Sequence, residues 1–427
     1  MLKQYSAAEF KDIFSFSGFS WQDYREETSA VQNIIADVRE NGDDALRRYA
    51  MKFDGCELSN GIKVGALEFD EAVKAVPESL QKALKKAMAN IERFHRQQLQ
   101  TSFWQEEDEG IVLGQIYRPL DSAGAYVPGG TAAYPSSVLM TAIPAKIAGV
   151  SRLCICTPAD SRGKVNPVTL FAAAEAGVTE VYKSGGAQAI AAMAYGTETV
   201  IPVDKIVGPG NIYVTLAKKE VYGDVGIDML AGPSEVMVVA GGDARADYIA
   251  ADLLSQAEHG ALSRSFLVTD SAELARRVNL ELERQLKELP RRDVAAASLQ
   301  EQGGSVITEN IDEIWDIVNL VAPEHLEILL DNPRSYLSKI KNAGSIFLGD
   351  YAPEPLGDYW AGLNHVLPTG YAARFSSPLG VNDFMKYSQV VSYSKEALDR
   401  VAAEIELLAE IEGLDAHRQS INVRRMS

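Results

Sequence analysis

From Gly114 onward, short apolar runs alternate with alanine-rich stretches, and a glycine or proline stands at nearly every junction. The runs AYVPGG, RLCICTP, EVYKSGG and KIVGPG are each followed by a segment of helical periodicity, such as SSVLMTAIPAKIAGV or AQAIAAMAYGT. A second series, SEVMVVAGG, RSFLVTD, GSVITEN and GSIFLGD, repeats the pattern. Strands that are apolar throughout are buried on both faces, and helices between them imply parallel neighbours. The pattern predicts an α/β chain of two Rossmann-like, doubly wound parallel-sheet units with small helical arms at each end. A length of 427 residues also exceeds one ordinary core. The expected division is an N-terminal arm over 1–21, a discontinuous first α/β domain over 22–125 and 233–378, a second over 126–232, and a C-terminal helical arm over 379–427.

Charge and composition exclude several function classes. Against 41 Lys and Arg stand 59 Asp and Glu, a net charge of −18, which argues against broad nucleic-acid or anionic-membrane binding. No apolar run approaches the roughly 18 residues of a spanning helix, and MLKQYSAAEFKDIF lacks a secretory apolar core. The three cysteines, Cys56, Cys154 and Cys156, form no CxxC pair, so neither a disulfide framework nor a cysteine zinc knuckle is expected. Cys154 and Cys156 alternate in a strand pattern and read as core. A reducing, cytoplasmic setting fits.

The polar residues offer candidates and bland counterparts. Strict GxGxxG is absent, yet AYVPGG, KSGG and VGPGN each open a strand end onto a helix. Such loops are either ordinary turns or cradles for an anionic cofactor. Of five histidines, His95 sits in a charged helix and reads as surface. The other four lie beside acids or amides near Gly or Pro. In LLSQAEHG, Gln256 and His259 are spaced i, i+3, on one helix face within reach of one ion. A capping histidine explains the same spacing. In APEHL, the adjacent Glu324 and His325 could approach one reacting centre from different angles, or be a solvated acid beside a structural histidine.

As a set, GAYVPGGTAAYPSSVLMTAIPAKIAGV, SGGAQAIAAMAYGT, DKIVGPGNIYV, AGPSEVMVV, LLSQAEHG, VNLVAPEHLEI, AGSIFLG, GLNHVLPTGYAARFSSPLGVNDFMK and EGLDAHRQS resemble the histidinol dehydrogenase family, in order, from about residue 30 to the end. The resemblance implies four-electron oxidation of L-histidinol through L-histidinaldehyde to L-histidine, with two NAD+ reduced in turn. It implies one zinc ion held by Gln256, His259, Asp358 and His417. Substrate contacts would come from Ser234, His325, His365 and Glu412 besides the ligands, and NAD contacts from Tyr126, Gln188 and Asn211. His325 would be the base in both hydride transfers, and Glu324 would activate water. The family forms homodimers that exchange C-terminal segments, so Glu412 and His417 would complete the partner's site. The zinc and catalytic residues thus fall to the first domain and the NAD contacts to the second. Two departures stand out: Gly260 where the family often has Asp, and Tyr371 where a second Gly is common. The alternatives are a zinc and NAD dehydrogenase of another small polar alcohol such as a sulfonated diol, a non-catalytic binding protein, and a zinc hydrolase.

Overall fold

The computed structural model describes the chain except residues 15–23, 60, 109, 130–132 and 427. Much of the expected arm over 1–21 and the tip of the first glycine loop therefore lie outside the described residues.

In chain order the strands are β1 (Lys3–Ser6), β2 (Phe103–Asp108), β3 (Ile111–Pro119), β4 (Ser122–Tyr126), β5 (Arg152–Thr157), β6 (Glu180–Lys183), β7 (Lys205–Val207), β8 (Gly226–Ile227), β9 (Glu235–Ala240), β10 (Arg264–Thr269), β11 (Gly304–Ile307), β12 (His325–Leu329), β13 (Ser345–Leu348) and β14 (Met385–Tyr393). One sheet runs β1-β11-β10-β9-β12-β13 and another β6-β5-β4-β7-β8, and every pair in both is parallel. The α/β class and the two doubly wound units expected from the strand–helix alternation are what the chain forms.

Each sheet buries an apolar cluster on both faces. Helices Ala246–Ala257 and Ala272–Gln285 cover one face of the six-stranded sheet, with Leu253, Leu254, Leu274 and Val278 against Val236 and Val238. Helices Ala7–Phe14 and Ile311–Val321 cover the other, with Phe10, Ile314 and Val318 against Met237 and Ile328. No helix among the described residues is long and apolar enough to cross a membrane.

The division of the chain differs from the one the sequence suggests. Helix Arg25–Tyr49 packs Val31, Ile34 and Leu46 against Ile190 and Leu216, and helix Glu78–His95 packs Ile91 into the cluster of Val138 and Leu170. Residues 25–95 thus complete the faces of the five-stranded sheet, and helix Glu78–His95 also meets the 357–361 turn, where Asn90 Nδ2 donates to the Trp360 carbonyl at 2.9 Å. β4 is the central strand of that sheet, so the unit starts before residue 126. Residues 379–427 are not wholly helical either: β14 pairs antiparallel with β3, and β3 with β2, making a three-stranded sheet. The aromatic and β-branched residues of MKYSQVVSY favour that extended state. Helices Lys395–Ile411 and Asp415–Arg425 follow, packed against each other.

Candidate active site

Strand polarity sets two half-sites. In the five-stranded sheet the order reverses between β4 and β7, the switch point where carboxyl ends of strands open a crevice. Tyr126 ends β4, and its buried hydroxyl accepts the Gly186 N–H at 3.1 Å. Gln188 lies in the first turn of helix Gly186–Tyr195, buried, and among the described residues neither its Oε1 nor the nearby Ser184 hydroxyl has a hydrogen-bond partner. Asn211 caps helix Ile212–Val221, its Oδ1 accepting from Tyr213 and Val214 N–H at 3.1 and 3.2 Å. Gly208 is obligatory between them: its φ is +111°, and a Cβ would strike the Tyr126 carbonyl. The three glycine loops therefore meet at one crevice, with two buried polar atoms awaiting a partner.

The six-stranded sheet presents its opposite edge. His325 opens β12 and Glu235 opens β9, side by side at the amino ends. The turn that delivers Glu324 and His325 follows from Ala322, whose left-handed φ of 52° ends helix Ile311–Val321 ahead of Pro323. Gly344 lets the next strand start hard against Glu324, where a Cβ would lie 2.5 Å from the Glu324 carbonyl oxygen. Glu324 is buried, and its Oε2 accepts the Glu235 N–H at 2.8 Å. Burial above all pushes its proton affinity well above the carboxylate range, and Glu235 and Asp358 add to the effect.

His325 is 4% exposed. Its Nδ1 lies 3.1 Å from the Glu235 carbonyl, the tautomer-fixing contact, while Nε2 has no hydrogen-bond partner among the described residues. Burial pushes its pKa down to about 3, so the ring is neutral and Nε2 is a bare acceptor. Asp358, in the turn Gly357–Ala361, places Oδ1 4.0 Å from Nε2, and burial raises its pKa to about 6. Gln256 ends helix Ala246–Ala257 fully buried. Its amide oxygen lies 3.1 Å from His325 Nδ1, where it can accept, and its nitrogen 3.2 Å from His259 Nδ1; turned over, the amide puts its nitrogen 3.3 Å from Glu354 and 3.1 Å from His325 Nδ1, with the oxygen facing His259 Nδ1. Ligating atoms of His325, Glu354 and Asp358 lie within 4.8 Å of one another. His365, pushed down to about 4 by burial, is hydrogen-bonded to the Asp358 backbone. Its Nε2 is 3.4 Å from Ser137 Oγ in helix Pro135–Ala148, which joins the two half-sites.

Single-chain folding thus gathers Ser234 (the residue before β9), Gln256, His259, Glu324, His325, Asp358 and His365. Glu412 and His417 are exposed on the C-terminal arm and bond to none of these among the described residues. The expectation of a surface His95 is overturned: it is fully buried, with Nδ1 on the Ile91 carbonyl at 2.9 Å and Nε2 3.5 Å from Asn364. Three buried acids around the site, Glu235, Glu327 and Glu354, and the half-buried Asp252 went unremarked in the sequence. A charge at the head or centre of an apolar strand, as in SEVMVV and HLEIL, is the signal that could have found two of them. The departures also resolve. At Gly260 a Cβ would find only Ser263 Oγ at 3.9 Å, so nothing in its surroundings demands glycine. Tyr371 holds a left-handed φ of 71°, the conformation for which a glycine is the usual solution.

A family model described as histidinol dehydrogenase matches residues 20–425. The histidinol dehydrogenase of Bacillus subtilis is 53% identical over 399 residues, covering 93% of each chain. That of Listeria innocua is 54% identical over 396 residues, covering 93% of this chain and 92% of its own. The crystal structure of histidinol dehydrogenase from Elizabethkingia anophelis superposes with a TM-score of 0.93 at 38% identity, over 99% of this chain and 98% of the other.

Proposed function

The chain belongs to the histidinol dehydrogenase family, and we propose that it oxidises L-histidinol through L-histidinaldehyde to L-histidine, reducing two NAD+ in turn with one zinc ion per site. The observation that best supports this reading is His325: a neutral imidazole with Nδ1 tied to a backbone carbonyl and Nε2 bare, beside Glu324 and Asp358.

The residues divide the work as follows. His325 Nε2 takes the alcohol proton as the carbinol hydride passes to the first NAD+. Glu324, in its ionised form, takes a proton from water as it adds to the aldehyde. His325 then accepts the diol proton as the second hydride leaves for the second NAD+. Ser234, His365 and the partner subunit's Glu412 hold the substrate. Tyr126, Gln188 and Asn211 hold NAD, and the unpartnered Gln188 Oε1 supports that assignment.

The ion would be held by Gln256, His259, Asp358 and the partner subunit's His417. A set of imidazole and oxygen donors suits zinc and leaves room for substrate. When bound, zinc anchors the substrate's imidazole and amino nitrogens. The arm that bears Glu412 and His417 exposes Leu407, Leu408, Ile411 and Leu414, which supports its exchange with a second copy in a homodimer. The buried, unpaired cysteines support a cytoplasmic setting.

Appearance of NADH absorbance with L-histidinol, abolished by a chelator and restored by zinc, is the expected result. Turnover without NAD, or faster turnover of a sulfonated diol, would replace this reading with one of the alternatives.

A further inference from the structure

Glu327 stands where a parallel sheet has least use for a charge. It is the third residue of β12, a strand buried along its length between β9 and β13. Its side chain is 1% exposed. It shares a sheet face with His325 two residues earlier, and that face looks onto helix Ala246–Ala257. Burying a carboxyl there is costly unless its oxygens are used.

Both are used. Oε1 accepts the backbone N–H of Glu354 at 2.7 Å. Asp252, one helical turn before Gln256 on the same face, reaches the Glu327 carboxyl within hydrogen-bonding range. Two adjacent carboxyls satisfy each other only when one holds a proton. Burial and the neighbouring Asp252 raise Glu327 to about 9, so Glu327 donates and Asp252 accepts.

The tether matters because of what Glu354 begins. Its side chain lies 3.8 Å from His325 Nδ1 and 3.3 Å from the Gln256 amide, and Asp358 follows four residues later. The backbone from here on is a pair of short helical turns, Glu354–Leu356 and Gly357–Ala361, with no strand pairing of its own; its far end is held by Asn90 Nδ2 donating to the Trp360 carbonyl at 2.9 Å.

We propose that Glu327, clamped by Asp252, is a positioning residue: it pins residues 354–358 to β12 and so sets Asp358 against His325 and Gln256. The inference rests on the zinc reading given above, and reaches the ion only through Asp358.

The test is zinc affinity of the full-length chain, measured by competition with a chromogenic chelator after metal stripping, alongside thermal unfolding. Loss of partners that orient a metal ligand typically weakens affinity about 10- to 100-fold, and Glu327→Ala is expected to fall in that range. Glu327→Gln should stay within about threefold of wild type, since its amide oxygen accepts from Glu354 and its nitrogen donates to Asp252. A purely structural role would not separate the two variants in this way. Wild-type zinc affinity in Glu327→Ala, or equal losses in both, overturns the inference. Should Glu327→Ala fail to fold, Asp252→Ala takes its place: tenfold weaker zinc binding supports the clamp, and unchanged binding overturns it. A wild-type chain that takes no zinc fails the functional reading instead, so the two failures are distinguishable.

Discussion

At the scale of single residues, the proposed mechanism gives His325 and Glu324 two different kinds of proton work. His325 is neutral with a fixed tautomer, and Glu324 is a carboxyl whose proton affinity burial has raised. Removing a positioned base typically costs about 10² to 10⁴ in rate, so His325→Asn should lower turnover from histidinol and from histidinaldehyde alike. Glu324→Gln should slow aldehyde oxidation far more than alcohol oxidation. Separate assays of the two half-reactions check this, and equal, small losses would remove both roles. Tyr371 allows a different prediction. Left-handed backbone costs a non-glycine residue about 1 kcal/mol or more, but the Tyr371 ring packs 6.1 Å from Phe14 and its hydroxyl donates to the Phe14 carbonyl at 3.3 Å. Tyr371→Gly should therefore change the melting temperature by only a few degrees, while Tyr371→Val, which keeps the strain and loses the contacts, should lower it clearly. The sequence exposed the residues of this site unevenly. Gln256, His259, Glu324 and His325 are legible because their motifs are local. Glu235, Glu327 and Glu354 are harder to see, since a carboxylate looks solvated until the structure that buries it has formed.

At the scale of elements, one buried ion pair fixes the loop between β7 and helix Ile212–Val221. Lys218 and Asp228 pair with side chains 3% and 0% exposed. Asp228 Oδ2 accepts the Gly208 N–H at 2.8 Å, and Lys218 donates to the Gly208 carbonyl at 3.0 Å. Breaking a buried pair from one side typically costs about 3–5 kcal/mol. Lys218→Met should show a loss of that order in chemical denaturation, together with weakened NAD binding through Asn211. Asp54, at the end of the turn Ala50–Asp54, titrates near 6 because burial disfavours its charge. A raised folded pKa means that stability present below the unfolded pKa is lost as pH rises through the folded one. Asp54→Asn should thus match wild type near pH 4 and gain a thermal advantage between pH 4 and 6 that is constant above. Most strands were legible because glycine and apolar runs are local signals. β14 was not, since its partner β3 lies far back along the chain. His95 was misjudged for the same reason: the segment that covers it, around Asn364, is remote in sequence.

At the scale of the whole molecule, the single chain assembles most of a site and leaves Glu412 and His417 on an arm that packs chiefly on itself. If the arm completes a second copy's site, a His417→Ala chain and a Glu324→Gln chain, each unable to carry histidinol through to histidine, should regain complete oxidation on subunit exchange, because half of the sites in the mixed dimer are then intact. No recovery after verified exchange would place both residues in the arm's own site. The opposed polarity of the two sheets has one more consequence. Helix Ala246–Ala257 brings its C-terminal end to Gln256, whereas helices Gly186–Tyr195 and Ile212–Val221 bring their N-terminal ends to Gln188 and Asn211. Each end bears about half an elementary charge, negative at the first and positive at the others. The helix ends therefore set up an electric gradient: on the proposed reading a cation would sit at the negative end and the cofactor's phosphates at the positive ends, and a hydride passing from substrate to cofactor would travel down it.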